Sequence, residues 1–155
     1  MKELFDEYGA CMIEENSVFR FLCGEKVDEL EKYFQPRTTQ AGETLWLEGD
    51  PSGYVGIITS GRIEVKKQTE FKGKNVVVAS YGRGSVVGAL GILDGRPRAT
   101  TATAPEEGSL LVISREDFEK LLESNPAIGI KLLKGMLLSV SMRLRKSFER
   151  LITFF

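Results

Sequence analysis

Histidine is missing from all 155 residues. Without imidazole, Ser-His-Asp and Cys-His catalysis are excluded, as is every metal site that leans on that ring. Cysteine is scarce. Cys11 and Cys23 are the only two, too few for a disulfide framework or a four-thiolate zinc site. Such usage fits a reducing cytoplasm. Long apolar runs are lacking as well. The richest stretch, Ile128 to Val140, is interrupted by Lys131 and Lys134, so no membrane span is expected. The opening Met1-Lys2-Glu3-Leu4-Phe5-Asp6-Glu7 is acidic where a secretory leader is basic and apolar. No Gly-Lys-Ser or Gly-Lys-Thr occurs, which excludes a Walker loop.

Net charge is also close to nil, at −1, so bulk electrostatics favours neither nucleic acid nor membrane. Its distribution is uneven. Residues 1–32 carry four basic and nine acidic side chains, whereas residues 131–155 carry six basic and one acidic. The two ends either attract each other or form two solvated helix faces.

The chain reads as helix, then many short strands, then helix. Leu4, Phe5, Tyr8, Met12 and Ile13 fall near helical spacing, and Gly24 to Phe34 predicts a second short helix with Val27, Leu30 and Phe34 inward. Pro36 ends it. From Arg37 glycines punctuate short β-rich runs: Thr44–Leu47, Tyr54–Thr59, Arg62–Lys66, Asn75–Ser80, Ala99–Ala104 and Ser109–Ile113. Ser60-Gly61 predicts a hairpin turn between two of them. The fold class is therefore mainly β with flanking helices, an antiparallel sandwich or jelly roll. A single domain over 1–155 is expected: N-terminal helices over 1–36, the roll over 37–113 and C-terminal helices over 114–155.

Ser114-Arg115-Glu116-Asp117 is a capping-box pattern that opens a helix carrying Phe118, Leu121 and Leu122. Asn125-Pro126 breaks it, and a long helix starts near Ala127. There Ile130, Leu137, Leu144 and Leu151 recur every seven residues, with Leu133, Val140, Ser147 and Phe154 interleaved. This a/d pattern predicts a homodimer seam; the alternative is a single broad stripe that covers the β-core of one monomer. A second apolar set, Ile128, Leu132, Met136 and Phe148, lies off the stripe. The basic residues Arg143, Lys146 and Arg150, with Arg145, read as a solvated face.

The densest signal is the glycine-rich stretch from Gly82 to Ala104. Its GxGxxxGxxG spacing does not fit the dinucleotide fingerprint, and only a turn's worth of helix fits before Asp94-Gly95 and Pro97. It does fit a phosphate cradle, with Gly88 opening a short helical turn of free amides. Arg98, ten residues on, would return a guanidinium whose planar fork matches two phosphate oxygens. Arg96 competes for that role. Arg98 is preferred, because Pro97 fixes the backbone before it.

The arrangement resembles the cyclic nucleotide-binding domain, the sensor module of catabolite activator protein and of the regulatory subunits of cyclic-AMP-dependent kinase. The family's phosphate-binding cassette reads roughly F-G-E-L-A/G, a spacer, then P-R-A/S-A/T-T. This chain has Val87-Gly88-Ala89-Leu90-Gly91, a spacer, then Pro97-Arg98-Ala99-Thr100-Thr101. Ala41-Gly42-Glu43, Glu48-Gly49-Asp50, Ser60 to Val65 and Ser114 to Phe118 agree in order and spacing, over nearly all of Phe21 to Phe148.

The resemblance implies an antiparallel β-roll flanked by helices, with a cyclic phosphate held by Arg98 and by amides near Gly88 to Leu90, and Ala99 and Thr100 beside phosphate and base. Val87 completes the expected ligand-binding set. Alanine after the arginine resembles the cyclic-AMP type. The last helix would lie over the base and form the dimer. One position departs: Ala89 stands where the family has a glutamate that accepts from the ribose 2′-hydroxyl. A hydrogen bond to a charged group contributes about 1.5–3 kcal/mol, so its loss weakens binding roughly 10- to 150-fold. A weak cyclic nucleotide site, a site for another anion and a relic all remain open.

The expected function is a stand-alone regulatory module without catalysis, metal or cofactor. It would sense a cyclic nucleotide, such as cyclic AMP, or a related anion, and signal by moving its C-terminal helices, to a protein effector or through the homodimer. The alternative is a ligand-free dimeric scaffold of the same fold. An enzyme built on Glu43, Glu48, Asp50 and Glu64 is the weakest reading, since these look like turn and surface residues. The chain stops at Phe155 with no second helix pair, so sequence-specific DNA binding is not expected of it alone.

Overall fold

The structure, a computed structural model, describes residues 18–22, 24–71 and 73–153. The first predicted helix, with Leu4, Phe5, Tyr8, Met12 and Ile13, lies outside the described residues, as do both cysteines.

Two short helices, α1 (Phe19–Leu22) and α2 (Val27–Glu31), precede eight strands. These are β1 (Gln35–Thr39), β2 (Thr44–Trp46), β3 (Tyr54–Ser60), β4 (Ile63–Gln68), β5 (Asn75–Tyr81), β6 (Val86–Val87), β7 (Thr101–Thr103) and β8 (Gly108–Ser114). A single 3₁₀ turn, Ala89–Gly91, follows β6, and helices α3 (Arg115–Ser124) and α4 (Pro126–Thr153) close the described chain. The strands form two four-stranded antiparallel sheets in the orders β1-β8-β3-β6 and β2-β7-β4-β5. This is the β-roll with flanking helices that the resemblance implies, and its antiparallel strands are those the strand spacing predicts.

β3 explains how the layers assemble. Side chains alternate between the faces of a strand, yet β3 is buried on both. Val55 and Ile57 join a core with Phe34, Phe118, Leu121 and Leu132, beneath the helices. Ile58 joins a second core with Trp46, Ile63, Ala102 and Leu110, inside the roll. Hence its near-continuous apolar run, since a strand covered on both sides has no polar face to present. Each fully buried leucine or isoleucine contributes about 1.5–3 kcal/mol.

Three expectations are corrected. Ser60-Gly61 is a turn but not a hairpin: β3 and β4 belong to different sheets. Gly61 has φ +72°, and a Cβ there would stand 2.7 Å from the Glu107 carbonyl oxygen, so the chain changes sheet where a second loop crosses it closely. The helix predicted from Gly24 to Phe34 is shorter, because Gly24 is left-handed and exposed. Leu30 and Phe34 nonetheless point inward and are fully buried. Pro36 sits in β1, at a sheet edge where a missing N–H is tolerated. The strand predicted over Ala99–Ala104 begins at Thr101, because side chains take the preceding carbonyls. Trp46 Nε1 donates to Thr100 O at 2.9 Å and Lys67 Nζ to Ala99 O at 2.9 Å.

Ser114 caps α3: its Oγ accepts from Asp117 N at 3.0 Å and donates to Asp117 Oδ2 at 2.8 Å. Pro126 occupies the first position of α4, where its absent N–H costs nothing. Ile128, Leu132 and Met136 dock α4 on the helical core, whereas Ile130, Leu137, Leu144 and Leu151 are each more than half exposed. Phe148 does not join the docked set. The last turns of α4 run past the core, and it is exposed there. Among the described residues no helix is long and apolar enough to cross a membrane.

Candidate functional site

Arg98 is 5% exposed, the most buried charged residue described. Its backbone is fixed by two hydrogen bonds to the turn after β2: Arg98 N donates to Asp50 O and Gly49 N to Arg98 O, both at 2.8 Å. Asp50 in turn holds that turn closed by accepting from Leu47 N at 2.9 Å. These contacts account for the Glu48-Gly49-Asp50 marker.

The side chain of Arg98 spans the interior of the roll. Nη1 donates to Gly88 O at 3.2 Å and Nη2 to Tyr54 O at 2.8 Å. The guanidinium carbon stands 3.9 Å from the centre of the Trp46 ring and 4.8 Å from that of Tyr54. The two rings meet edge to face, 5.5 Å apart, so they present π surface to the cation from two directions. A relay keeps Tyr54 in place: Arg37 donates to its hydroxyl at 2.7 Å and pairs with Glu43 at 2.8 Å.

No carboxylate pairs with Arg98 among the described residues. Its Nε is buried without a hydrogen-bond partner, as is Ser52 Oγ. Burial pushes its pKa down, with Tyr54 and Asp50 opposing. A guanidinium still remains charged. The roll thus holds a cation that no described carboxylate pairs with directly.

Gly88 is left-handed, with φ +80°. A Cβ there would lie 2.4 Å from Arg98 Nη1, so glycine is required both by the backbone and by the arginine. The 3₁₀ turn that follows begins at Ala89, whose methyl packs on the helical core.

A cavity of about 340 Å³ opens between this region and α4. All seven predicted positions line it: Val87, Gly88, Ala89 and Leu90 on one side, Arg98, Ala99 and Thr100 on another. Arg96 stays outside. Its side chain is 84% exposed and pairs with Asp94 at 3.4 Å.

Among the lining residues and supports that sequence reasoning missed are Trp46, Ser52, Tyr54 and Arg143. Trp46, the sole tryptophan, sits between two glycine turns and offered a signal. Arg143 is a correction, because it is not solvated. It is half-buried, donates to Val86 O and lies 3.9 Å over the Tyr81 ring, and burial pushes its pKa down. From α4, Val140, Leu144 and Ser147 complete the wall. The acids Glu43, Glu48 and Asp50 serve turns and surface ion pairs instead.

Comparison with known proteins points the same way. The sequence model of the cyclic nucleotide-binding domain matches residues 36–125. Cyclic AMP receptor protein of Thermus thermophilus is 30% identical over 112 residues, covering 72% of this chain and 51% of that protein. Lysophospholipase NTE1 of Chaetomium globosum is 33% identical over 94 residues, 61% of this chain and 6% of that enzyme. The chain thus spans about half, or far less, of these relatives. The crystal structure of a cyclic nucleotide-binding domain from Methylobacillus flagellatus superposes with a TM-score of 0.76 at 27% identity, covering 99% of this chain and 83% of that one. With a left-handed glycine and a buried arginine in the family's spacing, and with more than half its length matched, this chain belongs to the cyclic nucleotide-binding domain family.

Proposed function

We propose that the chain is a cytoplasmic regulatory module without catalysis of its own. It senses a cyclic nucleotide of the cyclic-AMP type, or a related anion, and signals by repositioning α3 and α4. One observation carries this reading: Arg98 is 5% exposed, unpaired with any described carboxylate, and lines a cavity of about 340 Å³. A buried charge left without a counter-charge is costly unless a ligand supplies one. Val87, Gly88, Ala89 and Leu90 would receive the phosphate with Arg98, and Ala99 and Thr100 would flank it. The relative named a cyclic AMP receptor protein and the alanine after Arg98 both favour adenine.

Signalling follows from the wall that α4 supplies. A ligand filling the cavity touches Val140 and Leu144, so α4 positions that differ in contact with it are bound unequally. The exposed stripe on α4 favours homodimerisation, and the dimer or a protein effector would read the shift.

Trp46 reports binding directly, because it is the sole tryptophan and stacks on Arg98. Titration with cyclic AMP or cyclic GMP is expected to change its emission, with heat in parallel calorimetry. Arg98→Lys keeps the charge but loses the fork, and is expected to weaken binding at least tenfold. No heat and no fluorescence change up to millimolar nucleotide would leave only the ligand-free dimeric scaffold.

A further inference from the structure

The Arg98 cavity has a neighbour along α4. A second hollow of about 300 Å³ lies between α4 and β5 and shares Val78, Tyr81, Arg143 and Ser147 with the first. Lys146 and Arg150 also line it, and among the described residues no aspartate or glutamate lines either space. Arg143, Lys146 and Arg150 fall at i, i+3 and i+7, on one face of α4 over about 10 Å of its axis. Arg143 donates to the Val86 carbonyl of β6 and Arg150 to the Val78 carbonyl of β5, which holds the row against the strands. None of the three pairs with an acid among the described residues. Like charges at this spacing repel, and here no carboxylate relieves them. Ala89, which borders the adjoining cavity, brings no acid to it.

We propose that the hollow between α4 and β5 is a second phosphate subsite, and that the ligand carries two separated phosphate groups: one on Arg98, the other on Arg143, Lys146 and Arg150. Such a ligand is either a cyclic dinucleotide, with its second phosphate on a second nucleoside, or a nucleoside bisphosphate, with both on one ribose. This rests on Arg98 as the first phosphate site and extends it, because the two hollows adjoin and one arginine borders both.

The test is calorimetry on the full chain with three probes: cyclic AMP, cyclic di-GMP and adenosine 3′,5′-bisphosphate. At low salt, at least one bis-phosphate is expected to bind ten times more tightly than cyclic AMP, and whichever it is identifies the source of the second phosphate. The exposed pair Lys146→Gln/Arg150→Gln is expected to lower that affinity at least tenfold and to leave cyclic AMP within twofold. Circular dichroism would verify that the variant is folded. If cyclic AMP binds but neither bis-phosphate binds more tightly, or if the double variant binds all three as wild type does, the second subsite is refuted and the Arg98 site stands. If none of the three binds, both readings fall.

Discussion

Gly88 and Arg98 share space that admits only one side chain: a Cβ on residue 88 would lie 2.4 Å from Nη1 of the arginine. The left-handed backbone at 88 adds its own demand, since a non-glycine residue there costs about 1–2 kcal/mol. Gly88→Ala is therefore expected to lower the melting temperature and to weaken nucleotide binding at least tenfold. Differential scanning calorimetry and titration calorimetry check the two effects separately.

Ala89 borders the cavity without offering a hydrogen-bond acceptor. Ala89→Glu supplies the carboxylate that the family uses against the ribose 2′-hydroxyl. Affinity for cyclic AMP is expected to rise about 10- to 150-fold, with no such gain for its 2′-deoxy analogue. Equal gains for both nucleotides would mean that the new carboxylate acts on something other than the hydroxyl.

Leu137 is 67% exposed at the middle of the α4 stripe, away from the cavity wall. Leu137→Lys is expected to turn a dimer into a monomer in sedimentation velocity, with the melting of the single chain nearly unchanged. A wild-type chain that sediments as a monomer at high micromolar concentration would remove the seam.

Glu43 accepts from Gln40 N at 2.9 Å and pairs with Arg37, contacts that hold its carboxyl below the ordinary 4.5. A carboxyl depressed in the folded state adds stability above the unfolded value, and that stability is lost as pH falls through the folded one. Glu43→Gln is thus expected to lower the urea midpoint at pH 7, and the gap to wild type is expected to close as the solution is acidified below about pH 4.5. A gap that widens in acid would reverse the assignment.

Much of the fold was legible because its signals are local. Glycine turns bounded the strands, Ser114 and Asp117 announced a cap, and Ile128, Leu132 and Met136 fell at one helical face. What escaped was long-range. Ser60-Gly61 marks a turn equally well whether the flanking strands pair or part, and only the crossing of Glu107 over Gly61 decides it. The same holds at the site. The cassette residues lie within one short stretch and were found together. Trp46 and Tyr54 reach Arg98 from other strands, across separations that periodicity does not encode. Arg143 read as solvated because its burial depends on Tyr81, on a different sheet element.

Val140, Leu144 and Ser147 belong both to the heptad stripe of α4 and to the wall of the Arg98 cavity. Any pairing of two chains along that helix is therefore linked to occupancy of the pocket by thermodynamic reciprocity. If nucleotide tightens the pair, dilution must loosen the nucleotide by the same factor, and isotherms recorded at different protein concentrations will not superimpose.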